Sequence, residues 1–164
     1  MLETIEAIRT IKEIIGIFSV EQERLDYPNG YSRRLGEGLE FIYFSPSGVL
    51  GVLRKLSERE PITDADREAV ASFNDYEWHV QQVFESFEFS GLSNRHLSIE
   101  QRGVLDKLRW RKLSVRRDVQ SLLNRPYPLR RRSIEDVSLM IEAIENLNAE
   151  IEKCEVQLRR WRTV

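Results

Sequence analysis

Apolar residues recur every seven positions from residue 137 to residue 161. Val137, Ile144, Ile151 and Leu158 form one series; Met140, Leu147, Cys154 and Trp161 form a second, offset by three. Two series interleaved in this way keep one stripe of an α-helix turned toward a partner helix. Four repeats predict a coiled-coil-like helix on the order of 40 Å long at ~1.5 Å per residue. Ser133-Ile-Glu-Asp136 has the residue types of an N-terminal cap, which starts that helix at Ser133. The stripe needs apolar cover, so the rest of the chain is read for what can provide it.

The nearest candidate precedes it. Ser98-Ile-Glu-Gln101 is a capping box, and the helix it opens runs to Asn124 with a stripe of Val104, Leu108, Val115, Val119 and Leu122. Arg125-Pro-Tyr-Pro128 ends it, because each proline restricts the residue before it. The two helices make a C-terminal hairpin over 99–162. Their match is imperfect: with Leu108 and Val115 at a positions, Arg111 and Asp118 fall at d. That leaves room on the last helix for another chain.

Two further helices are expected upstream. Leu2, Ile5, Ile8, Ile11, Ile15 and Phe18 mark a helix over 2–25, widened by Ile14 and Val20 and stopped by the turn cluster Asp26-Tyr-Pro-Asn-Gly30. Thr63-Asp-Ala-Asp66 opens a helix over 64–88 with Ala69, Phe73, Val80, Phe84 and Phe87 inside, flanked by Val70 and Val83. Between them, 26–62 is an insertion. It holds a glycine-containing loop over 28–38, an aromatic segment 39–44 that is helix, irregular or strand, and a short helix over 46–58. Val49, Leu50, Val52, Leu53 and Leu56 are its apolar positions. The expected fold is all-α: one domain over 1–164, an antiparallel bundle of about four long helices with a helical or irregular insertion.

Composition supports a packed core and narrows the chemistry. Of 164 residues, 41% are hydrophobic and 32% charged, which fits a globular chain and not a disordered one. No apolar run approaches the ~20 residues of a membrane span. A lone cysteine and an N-terminal stretch interrupted by charges lead us to expect a soluble, cytoplasmic protein. His79 and His96 lack a glutamate three residues before them, so the di-iron bundle pattern is missing. Cys154, at a core heptad position, reads as a buried, inert thiol. No serine-nucleophile elbow and no phosphate-binding loop is present. We therefore expect no enzyme, no cofactor, no metal and no small-molecule substrate.

Charge is distributed unevenly. Residues 1–90 carry 9 basic and 17 acidic side chains; residues 91–164 carry 16 and 10. Residues 95–132 hold twelve basic groups against Glu100, Asp106 and Asp118, whereas 133–156 hold seven acidic groups against Lys153. One reading is internal: a basic helix and an acidic helix pair across the hairpin, with opposite fields selecting orientation. The other is an anionic partner. Arg109, Lys112 and Arg116 share a ridge with Arg102, and Arg125 with Arg130, Arg131 and Arg132 extends the positive region past the helix end. Against a dedicated nucleic-acid binder, the sequence pI is about 5.8.

The leading functional expectation is a protein–protein interaction module, acting as an adaptor, regulator or inhibitor through helical surfaces. Its candidate contacts are Trp110 and Arg117, off the main stripe, and Trp161 with Arg160 at the end of the heptad seam, since Trp and Arg are enriched in binding hot spots. The partner is another protein or a second copy joined through the C-terminal helix. The alternative is a nucleic acid or other polyanion held by Arg109, Lys112, Arg116 and Arg130–Arg132. Arg130-Arg-Arg-Ser133 also matches the pattern of arginine-directed kinases, although Ser133 is already assigned to the cap.

Overall fold

A computed structural model describes residues 1–25, 49–71, 97–109, 115–126 and 128–162. Their regular structure is entirely helical, as an all-α reading requires. In chain order the elements are α1 (Leu2–Leu25), α2 (49–57), α3 (64–71), α4 (Ile99–Arg109), α5 (Val115–Leu123) and α6 (Arg131–Arg162). The expected 28–38 loop, the 39–44 segment, the greater part of the 64–88 helix and residues 110–114 of the expected 99–124 helix lie outside the described residues.

The bounds of α1 match those read from periodicity. Its buried face is Thr4, Ile5, Ala7, Ile8, Ile11 and Ile14. At about 100° per residue these positions cover roughly half the circumference, wider than a single-partner stripe. Two expectations shift for that reason. A series spaced by three falls about 60° short of a full turn at every step. Leu2, expected at the head of the stripe, is thereby carried off the buried arc and is 61% exposed, while Ile14, expected at its margin, is 0% exposed.

The first two heptads of α6 are core. Val137, Met140, Ile144 and Leu147 are buried, and Ala143 with them. The helix starts earlier than Ser133, however. The Ile134 amide donates to the Arg130 carbonyl (3.1 Å), so the ladder begins with Arg130 as the cap residue and Ser133 lies inside the first turn. Leu129 is 5% exposed, and Ile134 packs partly buried against the core. These two residues stand where a hydrophobic staple closes, so tertiary burial sets the start rather than the better local capping residue.

The helix lying along α6 is α1. A Cβ on Gly16 would sit 3.2 Å from Glu150 Oε1, so the Glu150 side chain reaches across to α1 at that level. The Met1 nitrogen lies 3.8 Å from Asp118 Oδ2 on α5. Because α5 is joined to α6 by a short connection, the start of α1 is level with the first turns of α6, and residue 16 is level with residue 150. The two helices therefore run in the same direction. This placement also accounts for Asp118, whose predicted d position would otherwise be a misfit. α4 runs the opposite way along α1: Lys107 Nζ donates to Glu3 Oε1 (2.6 Å) and Gln101 Nε2 donates to Glu13 Oε2 (3.4 Å).

Those bonds redirect the expected charge pairing. Basic α4 meets the acidic side of α1, and Glu145 of α6 pairs with Arg54 of α2 (2.7 Å). Such exposed pairs contribute about 0–1 kcal/mol each, so they fix neighbours and orientation more than stability.

α2 buries all five expected apolar residues, Val49, Leu50, Val52, Leu53 and Leu56. It ends at Arg59, whose φ of 59° is left-handed. The Glu60 amide donates to the Lys55 carbonyl (2.9 Å) and the Arg59 amide to the Leu56 carbonyl (3.4 Å), the bond pair of a Schellman ending without its usual glycine. The Thr63 box forms with aspartate: the Thr63 amide donates to Asp66 Oδ2 (2.9 Å) and the Asp66 amide to Thr63 Oγ1 (3.2 Å). On α3 the fully buried residue is Val70, expected beside the stripe, while Ala69 is half-buried. The Ser98 box forms as read, with amide bonds of 2.9 Å to Gln101 Oε1 and 3.1 Å back to Ser98 Oγ.

Asp66 ties α3 to α2 through Lys55 Nζ (2.9 Å). The Thr63 amide, and then the Lys55 ammonium, hold its carboxyl down from 3.8 to about 2. A carboxyl lowered in the folded state adds stability that is complete above its unfolded pKa and disappears as pH falls through the folded one. Acid titration followed by circular dichroism should therefore show part of the stability lost between about pH 4 and pH 2. Asp66→Asn should remove that segment of the profile while leaving the curve near neutral pH lower and flatter.

Candidate functional site

The connection between α5 and α6 is pinned at both ends. Val119, Leu122 and Leu123 turn inward from α5, and Leu129 returns to the core before α6 begins. The Asn124 amide still reaches the Gln120 carbonyl (3.1 Å), but the Arg125 amide donates to Leu122, only three residues back (3.2 Å), so the last turn tightens. Pro126 and Pro128 then prevent continuation of the helix.

The reversal brings residues eight apart together. Arg125 Nη1 donates to Ser133 Oγ (2.9 Å), tying the end of α5 to the first turn of α6. A cleft of about 490 Å³ opens at this corner, walled by Pro126, Pro128 and Leu129 and lined also by Arg125, Arg130 and Arg132. Among the described residues, Asp136 is its one carboxylate. Arg130 and Arg132 are exposed and have no acidic partner among the described residues. Arg131 points elsewhere: it is 93% exposed and lies 3.4 Å from Glu135, one turn on.

The electrostatics are unusual for a helix start. Arg130, Arg131 and Arg132 occupy the cap and first two positions of a 32-residue helix. A cation near that end opposes the helix dipole by about 0.3–1 kcal/mol, and three adjacent cations also repel one another. The amides of the first turn point out of the same end. Net positive charge, outward amides and apolar walls make the corner suited to a carboxylate or phosphate. A second cleft, about 530 Å³, lies on the other side of α6, but there Arg59 and Arg131 are balanced by Glu135 and Glu142.

The structure groups some of the sequence candidates and separates others. Arg130 and Arg132 join at the corner, with Arg131 beside them. Arg117 is exposed on α5. Arg109 ends α4 and Arg116 lies in the first turn of α5, whereas Trp110 and Lys112 fall outside the described residues. Arg160 and Trp161 are in the last turn of α6, on the order of 40 Å from the corner, so the two candidate sets occupy opposite ends of one helix. Arg125, already part of the positive region read from the sequence, is brought to this corner by the chain reversal, which sets it against Ser133.

Among the described residues, no cluster of three or more His, Cys, Asp or Glu side chains could hold a metal ion, and no helix is long and apolar enough to cross a membrane. Comparison with known proteins gave no matching family model, no matching curated relative and no matching solved structure.

If the arginines conflict with the dipole as argued, Arg130→Asp should stabilise the fold. An aspartate there is a favoured cap and reverses the sign of the dipole interaction, a gain of about 0.5–2 kcal/mol. Urea unfolding in a chloride buffer free of multivalent anions measures it; an unchanged or lower midpoint would contradict the electrostatic reading.

Proposed function

We propose that this chain is a non-enzymatic interaction module whose α5–α6 corner receives an acidic stretch of a partner protein. The observation that carries the reading is the cleft itself: two exposed arginines without acidic partners among the described residues, a third bridging to Ser133, and apolar walls from Pro126, Pro128 and Leu129. A site kept positive at an electrostatic cost is better explained by an incoming anion than by the needs of α6. The apolar walls favour a peptide, which presents side-chain carbon beside its carboxylates, over a bare phosphate backbone.

In the matching fold reading, the chain is a bundle of about four long helices. α1 and α6 run together, and the segment over 99–124 runs against both. α1 covers the heptad seam at Val137–Leu147. A second copy docking through α6 would therefore have to use the distal repeats, near Arg160 and Trp161. We place the protein in the cytoplasm, in keeping with its single cysteine.

A fluorescein-labelled peptide of Glu and Asp, and a single-stranded RNA of equal charge, separate the partner classes by anisotropy. The peptide should bind at low salt, weaken as salt rises, and lose several-fold to about tenfold in affinity with Arg130→Ala plus Arg132→Ala. Tighter RNA binding with a steeper salt slope, also reduced by Arg109→Ala and Arg116→Ala, would replace the protein partner with a nucleic acid. Binding of neither probe would overturn the proposal.

A further inference from the structure

We propose that Ser133 is a phosphorylation site and that the corner is built to hold its phosphate. This inference is independent of any partner protein. Three observations converge on one hydroxyl. Arginines stand one, two and three residues before Ser133, the arrangement that arginine-directed serine kinases read with their acidic pockets. The Ser133 oxygen already accepts a hydrogen bond from Arg125 at 2.9 Å, so a cation waits where a phosphate on that oxygen would project. The cleft beside it, about 490 Å³, has room for the group and presents Arg130 and Arg132 as further donors.

The site is also reachable. Ser133 is half-buried and lines the cleft rather than the core. A kinase must straighten the residues around it, and within Arg130–Ile134 the ladder has one bond, from the Ile134 amide to the Arg130 carbonyl. Arg130–Ile134 lie between the buried Leu129 and Val137, so the first turn alone has to open while those two anchors stay in the core. In the transfer, Ser133 Oγ attacks the γ-phosphorus of ATP. The new O–P bond forms as the bond to the β,γ-bridging oxygen breaks; ADP leaves, and the hydroxyl proton passes to the kinase's base.

The product resolves the conflict described above. Phosphoserine brings a charge of about −1.5 to −2 and three acceptor oxygens. Placed in the first turn of α6, it meets the favourable end of the dipole and offsets the arginine stack. Asp136 lines the same cleft and opposes the phosphate, but three guanidinium groups outweigh one carboxylate. Arg125 then bonds to a dianion instead of a hydroxyl, and the α5–α6 corner is fastened more tightly.

The test uses the full chain with magnesium, ATP and an arginine-directed serine kinase. Mass spectrometry should find a phosphate on Ser133, and Ser133→Ala should abolish its incorporation there. The phosphorylated chain should melt about 2–6 °C above the unmodified one. Arg125→Met should lose most of that increment, and Arg125→Lys, which keeps the charge without the fork, should retain part of it. Circular dichroism establishes that each variant is helical before melting. Absence of phosphate at Ser133, or a melting point that stays level or falls once Ser133 is phosphorylated, would overturn the proposal.

Discussion

The contact between α1 and α6 organises the molecule. Each helix has an apolar face that water would penalise, and each supplies the cover the other lacks. Ile5, Ile8, Ile11 and Ile14 on one side and Val137, Met140, Ile144 and Leu147 on the other belong to one continuous core. Residues far apart in sequence are thereby joined, and the shorter elements take their places around that pair. α2 adds five buried side chains, α5 adds Val119, Leu122 and Leu123, and α4 is held against α1 by Lys107 and Gln101. Burying a Leu or Ile side chain is worth about 1.5–3 kcal/mol, against about 0–1 for an exposed ion pair. The apolar pairing therefore stabilises the bundle, and the charges choose among its possible orientations.

The α5–α6 corner follows from that same packing. Leu123 and Leu129 are drawn into the core from either side of the proline segment, which leaves no slack for the arginines to spread. The chain must present Arg125, Arg130 and Arg132 around one opening whether or not their charges are compatible. A site that costs stability in the free protein and regains it on meeting an anion responds to its surroundings. The same geometry accounts for an external acidic peptide and for a phosphate on Ser133 without a moving lid or a second domain.

Legibility from sequence varied with how local the determining physics was. The span of α1 was readable because its periodicity lies within one stretch of chain. The Thr63 and Ser98 boxes were readable for the same reason. The start of α6 was not, because Ser133 is the better cap by local rules and the decision was made by Leu129 entering a core assembled from distant residues. The ending of α2 was hidden as well, since Arg59 takes a left-handed conformation where glycine is the usual signal. The heptad announced that α6 needs a partner, and the sequence pointed to the 99–124 helix or another chain; packing sets α1 along it. Arg130–Arg132 were visible as a run of charge. Their meeting with Arg125 depends on a reversal whose geometry no periodicity encodes.

The direct test of the account is the register between α1 and α6. Gly16→Cys and Glu150→Cys, in a Cys154→Ser background, place two thiols at positions that face each other across the two helices. A short bis-maleimide should join them within a single chain in dilute solution. The pair Glu3→Cys and Glu152→Cys, which would be neighbours only if the helices ran in opposite directions, should stay unlinked. Efficient linking of residues 3 and 152, or linking of 16 to 150 only between chains, would contradict the structure's central contact.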